Sequence, residues 1–254
     1  MELKDKLNQR LSYLFCTPEE RVFKHEHLTQ ENVTKVLSLK DKYAGKRCFV
    51  AGTSPSVNLL DLNKLNNEFV FTVNRGYMLK EKGLMHSTFH VISDTNTFKD
   101  EGSKWEEMAD FSKQLFCYAG MKAPPVNMDT IYFDYIQYQL NKAMSFQDDL
   151  TKPLIAYQSV IHFAIQIAYY LGFREIYMFG VDLDFAKNTG HAYQETSGEK
   201  EREKTASVVN AEHMLYGIGK CGEWLSQHGV TLKNASPCGI VDCIERVKYE
   251  ELFR

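Results

Sequence analysis

The 254-residue chain has no surplus of positive charge: 30 Lys and Arg stand against 33 Asp and Glu, a formal net charge of −3. A general nucleic-acid binder carries a basic excess that neutralises phosphates, so nucleic acid is not an expected partner. The six cysteines, at positions 16, 48, 117, 221, 238 and 243, form no CxxC pair, which argues against a zinc ribbon or a disulfide scaffold. No uncharged run reaches the length of a membrane span. The start, MELKDKLNQR, is charged where a secretory signal needs an apolar core. A cytoplasmic location is expected. No internal repeat is visible, and a composition of 44% hydrophobic and 25% charged residues is that of a globular chain.

What is present alternates between helix and strand. Leu3, Leu7, Leu11 and Leu14 recur at helical spacing, with Lys4, Lys6 and Arg10 on other faces, predicting a helix over 3–15. Such a helix either docks on the body or lies at a membrane surface, leaving a peripheral contact with the inner face of the membrane open. Residues 19–44 are polar and helical in character. We therefore expect an N-terminal helical extension, 1–44, and a Rossmann-like domain, 45–254. Apolar runs at 47–51, 69–73, 88–92, 113–118, 175–179 and 230–233 predict strands, each stopping in small or polar residues. Ser159 caps an apolar helix that ends at Gly172. Residues 124–153 read as loops and short helices, 186–205 as a mobile polar loop, 206–227 as helix and 242–253 as a short final helix. The expected class is α/β, a doubly wound, mostly parallel sheet.

Polar residues at strand ends are the candidate site. Gly52-Thr53-Ser54-Pro55-Ser56 follows the first strand, where glycine admits a ligand to the backbone and hydroxyls and amides meet phosphate or ribose oxygens. The turn is neither GxGxxG nor GxxxxGK[ST]. Asn74 and Arg75 follow the second strand and Asp94 the third; Arg suits phosphate, while Asn and Asp suit ribose hydroxyls or a base edge. Asp182 and Asp184 could share a Mg²⁺ ion, but Asp182 equally suits backbone amides in its own turn, and we expect no metal site. His191, in a polar loop, suits a general base, with the Tyr193 hydroxyl supporting a departing phosphate; His213 is the rival base. His86, His90 and His162 read as packing or surface residues, and His25 and His27 as surface.

GTSPS, VNRGY, the SD after strand three, QS before the apolar helix, LGFREIYMFGVDL, HAY and VTLKNASP…ERVKYEEL together resemble a bacterial superfamily over residues 45–253. It comprises CMP-sialic-acid sialyltransferases, the central domain of motility-associated flagellin glycosyltransferases, and archaeal-type 6-hydroxymethylpterin pyrophosphokinases. The sialyltransferase resemblance implies that Gly52 through Ser56, Asn74, Gln158 and Ser159 hold the CMP part of a donor. In that family the first turn usually reads Gly-Asn-Gly-Pro-Ser; Thr53 and Ser54 depart from it here. The family's catalytic histidine falls near His213 by length and at His191 by its Gly-His-Ala-Tyr context. The implied reaction moves a sialic-acid-like or Kdo-like sugar from a CMP-activated donor to a glycan or lipid-linked acceptor, with no required cofactor. Mg²⁺ enters only if an ATP-dependent diphosphotransferase, the alternative, is correct. A non-catalytic nucleotide-binding module and a homo-oligomer are left open.

Overall fold

The computed structural model describes residues 3–94, 104–140, 142, 144–185, 190–198, 200 and 208–254. Its strands are β1 (Arg47–Ala51), β2 (Phe69–Val73), β3 (Ser87–Ile92), β4 (Ser112–Tyr118), β5 (Thr130–Phe133), β6 (Tyr135–Gln137), β7 (Leu154–Ala156), β8 (Glu175–Phe179) and β9 (Thr231–Asn234). Seven of them form one sheet in the order β5–β4–β3–β2–β1–β8–β9, every neighbouring pair parallel. The other two, β6 and β7, pair in a small parallel sheet of their own. This is the expected α/β class with a mostly parallel sheet. Strands buried on both faces need apolar side chains at every position, which is why β1, β2 and β8 read as unbroken runs.

The helical segment α1 (Leu3–Leu14), α2 (Pro18–His27) and α3 (Gln30–Ser38) docks on the body. Thr17 and Glu20 close a capping box at the start of α2. Lys24, fully buried, pairs with Asp134 at 2.6 Å and donates to Ser12 O at 2.6 Å. Asn32 exchanges two 2.8 Å hydrogen bonds with the Tyr132 backbone, completing the edge strand β5 as another strand would. Tyr43 stacks on Phe173 at 5.2 Å and meets Phe89 edge-on, sealing one face of the sheet. In α1, Leu11 is partly buried while Leu7 and Leu14 are exposed. No helix among the described residues is long and apolar enough to cross a membrane.

The helices α4 (Trp105–Phe111), α5 (Val160–Tyr170) and α6 (Val208–Gln227) flank the sheet. The Ser159 hydroxyl accepts from Ile161 N and starts α5, and Gly172 ends the following turn at φ +98°, where glycine carries no Cβ penalty. The spacing Gly217-x-Gly219-x-x-Gly222 lies inside α6, not in a strand-to-helix turn. It serves close packing, since a Cβ on Gly217 would sit 2.4 Å from the Tyr157 side chain.

Three expectations are corrected. Residues 124–153 hold strands β5 and β6: buried Ile131, Phe133 and Ile136 alternate with half-buried Tyr132, Tyr135 and Gln137, the pattern of strand rather than loop. The final helix shrinks to a 3-10 turn, since only Tyr249–Phe253 is helical. Residues 236–242 instead form a clasp whose carbonyls at Ser236, Cys238, Gly239 and Val241 accept from the Arg246 guanidinium. His27 is half-buried and stacks on Tyr132 at 3.9 Å. Of the loop expected over 186–205, residues 186–189, 199 and 201–205 lie outside the described residues.

Candidate functional site

The chain runs outward from β1 through β2 to β5 and resumes on the other side with β8 and β9, so the order reverses between β1 and β8. Ligands of open α/β sheets bind beyond the carboxyl ends of strands at this point. The turns leaving the two strands press together. Gly52 N donates to Phe179 O at 2.8 Å and Ser54 N to Gly180 O at 2.9 Å. A Cβ on Gly52 would stand 2.1 Å from Gly180 O, and Gly180 itself has φ +64°. Both positions require glycine.

Over this junction opens a cleft of ≈ 530 Å³, a volume usual for a small-molecule site. It gathers the residues that follow β1, β2, β3 and β8, with the start of α5 and the histidine loop: Gly52, Thr53 and Ser54; Asn74 and Arg75; Asp94; Asp182 and Asp184; Gln158 and Ser159; His191 and Tyr193. Pro55, Ser56 and His213 are not in its lining. Pro55 opens a 3-10 turn, Ser56 is buried behind it, and His213 is exposed on α6, where its neighbour Met214 reaches the cleft.

Asp182 latches the two turns together. Its Oδ2 accepts from Ser56 N at 3.0 Å, while its own amide donates to Ser54 Oγ at 3.2 Å. Oδ1 is buried with no hydrogen-bond partner among the described residues. Behind it, Ile240 N donates to Asp182 O at 2.8 Å, and Gly239, at φ +96°, leaves no room for a Cβ against Asp182 Cα. The closing motif thus backs the second turn.

His191 is held by the first turn. Its Nδ1 lies 2.9 Å from Thr53 Oγ1, Ala192 N donates to Thr53 O at 2.7 Å, and the Tyr193 ring stacks on the imidazole at 4.8 Å and 12°. Thr53, a departure from the usual family turn, therefore contacts the candidate base. Ser159 and the start of α5 bring a helix N-terminus, with its partial positive charge, to the cleft wall. Among the described residues, three of the four non-glycine positions with positive φ line this cleft: Asn74 (+46°), Gln158 (+65°) and Leu183 (+53°). Such backbone is sparsely populated and collects at ligand sites.

Sequence reasoning missed Gln137, Phe163 and Met214 in the cleft wall, and left Tyr135 within an aromatic stretch of no assigned period. It also missed His90, fully buried in β3 beneath Asn74, whose lowered pKa of about 4 follows from that burial.

A doubly wound α/β protein with a polar cleft at its switch point is the class these features define. More particularly, the chain belongs to the 6-hydroxymethylpterin diphosphokinase MptE-like family, whose model matches residues 24–188. That span begins within α2, ahead of residue 45 where the sequence resemblance starts. Among solved structures, the MAf glycosyltransferase from Magnetospirillum magneticum AMB-1 is similar over 88% of this chain, at 17% identity and a TM-score of 0.51. It shares the fold, and this chain spans only 39% of its length. The sialyltransferase CstII from Campylobacter jejuni, in complex with cytidine-5'-monophosphate, is similar over 80% of this chain and 87% of its own, at 15% identity and a TM-score of 0.47. No curated protein matches.

Proposed function

We propose that the chain is a glycosyltransferase that moves an acidic, sialic-acid-like or Kdo-like sugar from a CMP-activated donor to a hydroxyl of a glycan or lipid-linked acceptor. The observation that carries the reading is the meeting of Gly52, Thr53, Ser54, Asn74, Gln158 and Ser159 with His191 in one cleft. The sequence resemblance assigns the first six to the nucleotide, and its Gly-His-Ala-Tyr context, against the length match to His213, assigns the last to the base.

In this reading the N-terminus of α5 and Ser159 receive the donor phosphate. Asn74 and the Gly52–Ser54 turn hold the nucleoside. Thr53 Oγ1 holds the ring at Nδ1, and the reading places the ring hydrogen there, which leaves Nε2 as the basic nitrogen. Nε2 takes the acceptor hydroxyl proton as the new bond forms from that oxygen to the anomeric carbon. The bond from the anomeric carbon to the phosphate oxygen breaks, and CMP departs with the electron pair. Tyr193 fixes the plane of the imidazole and offers its hydroxyl to the departing phosphate.

The second reading, an ATP-dependent diphosphotransferase, draws on the family description and on Asp182 and Asp184 in the cleft. Its magnesium ion fits these residues poorly. Asp182 Oδ2 is engaged by Ser56 N and Oδ1 is buried, so a hydrated cation could not reach the carboxylate without breaking the latch. No group of three His, Cys, Asp or Glu able to hold a metal is found among the described residues.

Thermal denaturation with CMP, CTP or ATP, each with and without Mg²⁺, separates the two. CMP and CTP should raise the melting temperature more than ATP, with no need of Mg²⁺. Stabilisation by ATP alone, and only with Mg²⁺, would replace the proposal with the second reading.

A further inference from the structure

Asn74 departs from β2 in the left-handed region, at φ +46°. The β2–β3 ladder ends one residue earlier, at the pair Val73 and Val91, so the Asn74 carbonyl lies beyond strand pairing. A carbonyl in a buried turn still needs a donor. His90 supplies it: His90 Nε2 lies 2.7 Å from Asn74 O.

The register explains how. His90 faces Thr72 across the two strands, and its Nδ1 lies 2.7 Å from Thr72 Oγ1. The ring is fully buried, and burial holds it neutral, so only one ring nitrogen carries hydrogen. A carbonyl can only accept, which puts that hydrogen on Nε2, while the Thr72 hydroxyl, which also lies 2.9 Å from Ser87 Oγ, faces Nδ1. Thr72 also packs under the turn, 2.9 Å from where a Cβ on Gly76 would be. One tautomer of one ring thus joins the interior of the sheet to the backbone of a cleft residue.

We propose that His90 is a positioning residue that holds Asn74 in its left-handed conformation and so sets the nucleotide-binding face of the cleft. The inference rests on the reading of Asn74 as a nucleotide-holding residue, and the experiment below tests the two separately.

The first measurement needs no ligand: the ¹³C and carbonyl chemical shifts of Asn74 in the free protein. His90→Phe keeps a ring but removes the donor, and should move these shifts out of the left-handed range. His90→Gln places an amide donor near the old Nε2 and should restore them. Unchanged shifts in His90→Phe would overturn the proposal whatever CMP does. If His90→Phe fails to fold, Thr72→Val takes its place, since it removes the hydroxyl that holds the ring at Nδ1, and the same criterion applies.

The second measurement is CMP affinity by calorimetry. His90→Phe and Asn74→Ala should each weaken CMP binding by about tenfold, the scale of one lost hydrogen bond, and the double variant should be no weaker than either single one. Losses that multiply would mean independent actions and would overturn the proposal. A purely structural histidine would lower stability and leave CMP affinity unchanged, which also overturns it. If Asn74→Ala binds CMP as the parent does, the nucleotide role of Asn74 fails, and the Asn74 shifts alone decide whether His90 positions it.

Discussion

Thr53 Oγ1 lies 2.9 Å from His191 Nδ1, joining residues 138 positions apart in the chain. The Thr53 carbonyl accepts from Ala192 N as well, so side chain and backbone together register the histidine loop on the first turn of the sheet. A ring held at Nδ1 presents Nε2 in a fixed direction, as a general base requires.

Replacing His191 by Ala should therefore abolish transfer with little change in donor affinity, a loss on the order of 10²–10⁴ in rate. Thr53→Val should give a smaller loss in kcat, since the ring remains but loses the hydroxyl that orients it at Nδ1. Release of CMP from a CMP-sugar, measured beside nucleotide affinity, is the assay. Near-normal turnover in His191→Ala with a dead His213→Ala would move the base to α6, and full activity in both would remove histidine catalysis.

Ser159→Ala and Asn74→Ala should both weaken CMP binding by about 1–2 kcal/mol while the fold persists. Ser159 has a second role as the cap of α5, so its variant should also lose roughly 0.5–2 kcal/mol of stability measured without ligand. Calorimetry and urea unfolding separate the two effects. Unchanged affinity in both variants would dissolve the site assignment.

Stability should fall as the pH drops from about 6.5 towards 4. His90 and His162 are fully buried, and burial lowers both pKa values to about 4. In that window the unfolded chain binds these protons and the folded chain does not, so protonation favours unfolding. Above pH 6.5 both contributions are fully present, and each fades as pH falls through the window, at most roughly 3 kcal/mol apiece. Urea midpoints across this range check it, and His162→Gln should flatten the slope. A slope unchanged by that variant would refute the assignment.

Lys24→Ala should destabilise the fold by about 3–5 kcal/mol, because it leaves Asp134 buried without its cation. Desolvation already holds the Asp134 carboxyl above its ordinary pKa, with the Lys24 charge opposing that rise. Lys24→Met combined with Asp134→Leu should recover most of the loss. Chemical denaturation of the three variants is the measurement, and a Lys24→Ala protein as stable as its parent would contradict the pairing.

The parts of the fold that were legible in the sequence are those governed by burial on both faces. β1, β2 and β8 have the bounds that their apolar runs predict, and Ser159 and Gly172 bracket α5 as their chemistry requires. β5, β6 and β7 escaped because three- or four-residue edge strands carry too few alternations to display a period. Strand-end residues such as Asn74 and Asp94 could be placed on one edge from topology alone. The latch from Asp182 to Ser56 could not, since it depends on two turns 126 residues apart meeting in space. His90 escaped for a related reason: its meaning lies in the register with Thr72, which no local pattern encodes.

The Lys24–Asp134 pair also bears on where a shortened form of this chain could begin. A chain started at residue 45 would look complete on paper, with every strand of the large sheet retained. It would nonetheless strip Asn32 from the backbone of β5 and leave Asp134 without its cation. The next residue, Tyr135, lines the cleft. Truncation at the start of the sequence would thus be felt one residue from the cleft lining, and the opening helices are better regarded as a support behind the cleft than as an appendage.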